Sequence, residues 1–195
     1  MRDADMERYI LAFDELNMVL AETEIEDADE VVLDQLITAY RDGIRAVDKD
    51  ARLRDPEDEM DDYEDLYIFD VFGTEITDEA YASIFKQTAG ETFEDRINAY
   101  IRDGDMEAIK RVADTEYHRV FNEAMYNTAR RNGYTMKRWV TMRDDRVRDT
   151  HWYLDGLSVP IDSYFATYDG DMALLPGGFT LAENNVNCRC VVEYF

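Results

Sequence analysis

The chain has 195 residues, enough for one domain or a small domain with an extension, and its 46% apolar content can fill a core. Its 45 acids against 21 Lys and Arg leave a net charge of −24, so the molecule as a whole repels a duplex phosphate backbone and strong general DNA binding is not expected. It has no apolar run of membrane-spanning length, its N-terminal MRDADMER lacks the apolar stretch of a secretion signal, and two cysteines in a Cys-x-Cys pair make no disulfide framework, so an intracellular, reduced chain is expected.

Met6, Tyr9, Ile10, Phe13, Leu16, Val19 and Leu20 follow helical spacing and predict an amphipathic helix over 3–22. After an acidic link at 24–30, Val31, Leu33, Leu36, Ile37, Tyr40, Ile44 and Val47 predict a second helix to about residue 48. Helices so closely joined normally pair antiparallel. Residues 52–65, RLRDPEDEMDDYED, are the most acidic stretch; a solvated loop is favoured over a tail that docks on a basic partner. The apolar run 66–72 fits strand or helix. Thr77-Asp78-Glu79 is a helix cap, with a short helix over 80–88 ended by Gly90, and another follows over 92–102, stopped at Gly104.

The longest regular segment is 105–131. Met106, Ile109, Val112, Ala113, Tyr117, Val120, Phe121, Ala124, Met125 and Thr128 keep one face apolar, Arg130 and Arg131 suit the helix dipole, and Gly133 closes it. Trp139 to Met142 alternate as a strand. Tyr153-Leu154, Asp155-Gly156 and Leu157-Ser158-Val159 read as a strand, a two-residue turn and a returning strand. Residues 174–187 are Pro/Gly/Asn-rich loop, and 187–195 alternate as a terminal strand with Cys188, Cys190, Val192 and Tyr194 on one face. The expected fold is α+β: an N-terminal helical region, then a long helix packed on a small antiparallel C-terminal sheet. The division falls between an acidic helical region, 1–104, and a C-terminal module, 105–195.

Charge follows that division. Residues 1–70 carry 24 acids against 7 bases, whereas 110–150 carry 6 acids against 10 bases. The acidic half therefore suits a basic protein surface.

The densest chemistry is Asp144-Asp145-Arg146-Val147-Arg148-Asp149-Thr150-His151. So many charges must face water, pair with one another or bind something. An ion-pair network that fixes the loop is favoured, with Asp144 forming an Asx-turn. The alternative is general acid–base chemistry by His151 beside Arg148 and Asp145, as in metal-independent ribonucleases. Cys188 and Cys190 could join His151 in a metal site, zinc being the candidate, although a fourth ligand is missing from any obvious spacing and Asp155 or water would have to serve. The favoured reading is two reduced cysteines packed as small hydrophobes, with no cofactor. His118 is read as a surface or boundary residue. Trp139 and Trp152 are read as core or rim anchors.

The order Lys137-Arg138-Trp139, Asp144 to His151, Leu154-Asp155-Gly156, Phe165, Leu175-Pro176-Gly177 and Val186-Asn187-Cys188-Arg189-Cys190 resembles the phage Mu F-like minor head protein family. Thr115-Glu116 and residues 122–133 look like the family's lead-in. Gly178 stands where an acidic residue is common, and Asp114 where a basic one is. The resemblance implies a non-enzymatic role in head or capsid morphogenesis of a tailed phage or prophage, with contact to the portal or major capsid protein. It implies a location in the virion or, during assembly, the host cytoplasm. Asp144, Arg146, Arg148, His151, Asp155, Gly156, Cys188 and Cys190 are its structural motif. The competing reading is a nuclease-like effector using Arg148 and His151.

Overall fold

The computed structural model describes residues 18–48, 77–88 and 90–195. Of the expected first helix only residues 18–22 fall among them, and these are helical; the acidic stretch 52–65 and the apolar run 66–72 lie outside the described residues. Helix α1 is Ala28–Val47, α2 Asp78–Ile84, α3 Phe93–Asp103 and α4 Met106–Arg131. The caps sit where the sequence puts them. The Thr77 hydroxyl accepts from Ala80 N–H at 2.8 Å, Thr92 and Asp95 form a capping box, and Gly104 ends α3 in the left-handed region at φ 70°. Helix α2 stops at Ile84, four residues short of expectation, with Phe85 as its C-cap.

Helix α4 is the axis of the fold. Helices α1, α2 and α3 all pack on it, and its other side meets the C-terminal sheet through β5. The expected apolar stripe is there, but burial extends beyond it. Glu116, His118, Arg119 and Asn122 are buried as well. The α1–α4 contact is close because of Gly43, where a Cβ would lie 2.5 Å from Phe121 O and 2.7 Å from Ala124 Cβ.

The charged pair on α4 is fully partnered. Glu116 accepts from Arg96 Nη2 at 2.7 Å and Arg119 Nε at 2.8 Å. Arg119 also reaches Glu123 at 2.8 Å, and Glu123 takes Lys86 at 2.9 Å and the Ser83 hydroxyl at 3.1 Å. The network ties α2 and α3 to α4.

The sheet is three-stranded and antiparallel, ordered β2-β1-β5, with β1 Met136–Val140, β2 Ser158–Pro160 and β5 Val191–Tyr194. Register pairs Lys137 with Val159 and Trp139 with Val192. A two-stranded ribbon, β3 Phe165–Ala166 with β4 Met172–Ala173, lies in the connection. Two sequence expectations need correction. Tyr153-Leu154 is not a strand, because Asp149–Trp152 forms a one-turn helix, α5, that runs directly into the Asp155-Gly156 turn. The terminal strand starts at Val191 rather than residue 187, because Asn187 takes a left-handed backbone (φ 57°) that a strand cannot contain. A second one-turn helix, α6 (Ala182–Asn185), breaks the expected loop.

Trp139 and Lys137 both face inward from β1 and are fully buried. Lys137 Nζ donates to Leu174 O at 2.7 Å and lies over the Phe165 and Tyr126 rings, 5.2 Å and 5.5 Å from their centroids. Burial pushes its ammonium down to about 8.

Two outcomes follow from this packing. In Gly43→Ala, the helix-propensity gain of about 1 kcal/mol is exceeded by overpacking of about 1–3 kcal/mol, so the urea midpoint falls. Lys137 binds its proton more weakly folded than unfolded. Stability therefore rises as pH climbs through about 8 toward the unfolded value, and is flat below. The rise is on the order of 2–3 kcal/mol, and urea titrations between pH 7 and 10 lose it in Lys137→Met.

Candidate functional site

Strand β1 ends at Val140, and residues 141–148 form the charged loop that leads into α5. Asp155 fixes its start. It accepts from Thr141 N–H at 2.9 Å, the Thr141 hydroxyl at 3.0 Å and Arg143 Nε at 3.0 Å. Burial opposes its charge, but these donors outweigh burial and hold the carboxyl below the usual carboxylate range. Gly156 N–H donates to Trp139 O at 2.9 Å from a left-handed backbone at φ 79°. Asp144 accepts from Arg146 N–H at 3.2 Å, an Asx-turn, and from Arg189 Nη2 at 2.8 Å. The Arg189 hydrogen bond holds Asp144 below its ordinary range.

Arg148 is a clamp. Its two terminal nitrogens donate to the carbonyls of Glu183 and Val186, the latter at 2.6 Å, so the loop is bound to the segment before the cysteines. That segment has its own keystone. Asp171 accepts from the N–H groups of Met172, Thr180 and Leu181 at 3.0, 3.1 and 3.0 Å and from Asn184 Nδ2 at 2.9 Å. Asn185 donates to Phe179 O at 2.6 Å and accepts from Phe179 N–H at 2.9 Å.

These supports hold His151, which is 1% exposed, between two aromatic rings. Phe179 stacks on it at 5.4 Å with an interplanar angle of 29°, and Trp139 meets it edge-on at 5.4 Å and 75°. Nδ1 lies 3.5 Å from Cys188 Sγ and 3.4 Å from Cys190 Sγ. The ligand atoms of all three residues lie within 4.8 Å of one another. His118, expected near the surface, is 1% exposed on α4, close enough for its charge to favour the Cys188 thiolate. Its burial on α4 overturns the surface reading, and a polar side chain gives helical periodicity no sign of the cysteines opposite.

The two thiols differ. Burial disfavours a Cys188 thiolate, yet hydrogen bonds from Cys190, His118 and His151 and the His118 charge hold it well below the usual thiol range. The hydrogen bond to Cys188 and burial push Cys190 well above that range. The Trp139 indole lies beside Cys190 and favours its charge, although Nε1 makes no hydrogen bond of ordinary geometry.

The loop, α5 and the terminal segment thus bring His151, Arg148, Asp144, Asp155, Gly156, Cys188 and Cys190 into one unit. Asp145 and Arg146 are exposed on its rim. Neither nitrogen of His151 meets Asp145: Nδ1 faces the thiols and Nε2 has no hydrogen-bond partner. Arg148 has both terminal nitrogens bound to carbonyls. A shallow pocket bordered by Met142, Arg146, Val147 and Arg189 opens onto His151 and the cysteines. Glu116 falls in the Thr115-Glu116 lead-in, but neither its network with Arg119 nor the Asp171 keystone is among the expected site residues.

Parts of the chain are similar to known proteins. The chain is 38% identical over 84 residues to the NAD(+)--arginine ADP-ribosyltransferase EFV of Enterococcus faecalis, a match to 41% of this chain and 17% of that protein. It is 33% identical over 85 residues to Minor head protein GP7 of Bacillus phage SPP1, covering 42% of this chain and 28% of that protein. The chain therefore spans less than a third of the length of either relative. No solved structure matches. The family described as Phage Mu protein F like protein matches residues 74–193, which includes α2 to α4, the sheet up to Glu193 and every residue of the site, and the chain belongs to that family.

Proposed function

We propose that the chain acts in head morphogenesis of a tailed phage or prophage as a minor head protein, docking through acidic surface on a basic face of the portal or the major capsid protein. Membership in the Mu F-like family carries this reading, and the minor head protein of phage SPP1 among the relatives supports it. The charge supports the mode of contact. A net of −24 favours a basic protein partner over nucleic acid.

At least half of the ten cations in the one basic segment, 110–150, are already paired with acids, while Arg111 and Arg146 stay exposed. Arg119 is paired with Glu116 and Glu123, Arg130 with Asp162, Arg131 with Glu79, Arg138 with Glu193 and Arg143 with Asp155. Exposed aromatic side chains supply apolar contact area instead. Trp152, Tyr153, Tyr164 and Tyr168 are 42–66% exposed, and aromatic residues of this kind are enriched at protein interfaces. No helix among the described residues is long and apolar enough to cross a membrane.

The reading is non-enzymatic. The ADP-ribosyltransferase name belongs to a relative of which this chain covers 17%, and it carries no activity over by itself. Ribonuclease chemistry would need His151 and Arg148 free to touch substrate, whereas His151 is buried and Arg148 is bound to backbone.

Binding to immobilised portal protein is expected to weaken about tenfold or more between roughly 0.05 and 0.5 M NaCl; salt-independent binding would defeat electrostatic docking. Incubation with RNA and DNA is expected to give no cleavage above buffer. Cleavage abolished by His151→Ala would replace the structural reading with an effector one.

A further inference from the structure

We infer that His118, His151, Cys188 and Cys190 form a Cys2His2 site for a structural zinc ion that joins helix α4, the charged loop and the terminal segment. The sequence favours two cysteines packed as small hydrophobes; the geometry favours a metal. Both sulfurs lie against the same nitrogen, His151 Nδ1, at 3.5 and 3.4 Å. That nitrogen has one lone pair or one proton, so two separate, well-formed hydrogen bonds are not available to it. A single cation between the three atoms satisfies all of them. Tetrahedral zinc, with Zn–S of about 2.3 Å and Zn–N of about 2.0–2.1 Å, sets sulfur and nitrogen about 3.5–3.6 Å apart. The observed spacings fall beside that value without rearrangement.

His118 supplies the fourth ligand that sequence spacing did not reveal. It comes from α4, in a different part of the chain; its ring stands outside the three-residue cluster whose ligand atoms lie within 4.8 Å of one another, so its side chain turns toward the ion to complete the tetrahedron. The four residues are 1–4% exposed. Burial on this scale suits a closed structural site rather than an open catalytic one.

Charge gives the same answer. Two buried thiolates are costly, and so is a buried thiolate facing a charged imidazole in imperfect geometry. Two thiolates and two neutral imidazoles around Zn2+ sum to zero. The Asp171 and Arg148 supports fix the terminal segment before any ion binds, and the pocket at Met142 and Arg189 provides an entry path. One feature departs from common practice. His151 Nε2 lacks the usual carboxylate or carbonyl acceptor and lies among the Phe179 and Trp139 rings, so the imidazole is oriented by stacking.

The test uses the full chain, purified reduced from zinc-supplemented culture and measured by elemental analysis and thiol titration. The expected result is about one zinc per chain, with two thiols that react only after a chelator is added. Replacement by Co2+ should give the visible bands of a tetrahedral ion with thiolate charge transfer. Cys188→Ser and Cys190→Ser lose the ion, and His118→Gln weakens its retention against a competing chelator at least tenfold. Because the serine variants could misfold, the wild-type stoichiometry and cobalt spectrum stand as independent readouts. Zinc below a tenth of an equivalent, a Cys188–Cys190 disulfide, or a cobalt spectrum without thiolate character overturns the site. Undiminished retention in His118→Gln overturns the four-ligand assignment. None of these outcomes bears on portal docking.

Discussion

A carboxylate buried to 1% exposure inside a protein is tolerable only when its charge is met on more than one side, and Glu116 is met by two guanidiniums. Removing one partner of such a group typically costs about 3–5 kcal/mol, far more than the intact set contributes. The requirement propagates. Arg96 must present from α3, which fixes where the Thr92 capping box starts that helix. Arg119 must lie flat on α4, where it also meets Glu123 and, at 3.4 Å, the Ile84 carbonyl at the end of α2. Its backbone then becomes the floor for the Pro-Gly turn: a Cβ on Gly177, whose φ is 83°, would sit 3.0 Å from Arg119 Cα. Two residues on, Phe179 lies against the His151 ring. A charge network on one side of α4 thus sets the height of the loop that walls the histidine on another.

Helix α4 does this because it is buried on more than one face. Residues 116 and 119 centre on one face, 118 and 122 on another, about 110° away at 100° per residue. The first pair turns toward α2 and α3. His118 turns toward the cysteines, while Asn122 Nδ2 is satisfied by the His118 carbonyl at 2.9 Å. A helix with one wet face could carry only one of these sets.

The sequence exposes most of the scaffold. Apolar spacing locates α1 and α4, Thr77 and Thr92 locate the starts of α2 and α3, and Gly104 ends α3, because each signal is local. It also starts the charged loop at the end of a strand and makes Asp144 an Asx-turn, but the strand it expects at Tyr153-Leu154 is instead the exit of the one-turn helix α5. It fails where placement depends on distant partners. Glu116, His118 and Arg119 look solvent-facing to any periodicity argument, since polarity alone does not show that Arg96 or Cys188 waits opposite. Ribbon β3–β4 has two residues per strand, too short for alternation to register. The cysteines illustrate the subtler limit. Alternation puts both on a strand face; the left-handed turn at Asn187 delays the strand to Val191 and leaves Cys188 and Cys190 folded around one imidazole nitrogen.

The same reasoning says where this unit can be divided. A boundary after residue 104 follows composition, and the acid-rich helices do lie before it. Yet cutting there removes Arg96 from Glu116 and both Lys86 and Ser83 from Glu123, leaving buried acid on α4 without its full set of donors. Apolar burial points the same way, since Ile84, Phe93 and Ile97 share a single core with Tyr117, Trp139 and Val192. The smallest piece that keeps every buried charge partnered must begin at or before α2. The family region, which starts at residue 74, has that extent. Composition reads the surface, where charge is cheap to vary; the extent of a folding unit is set by which buried charges need one another.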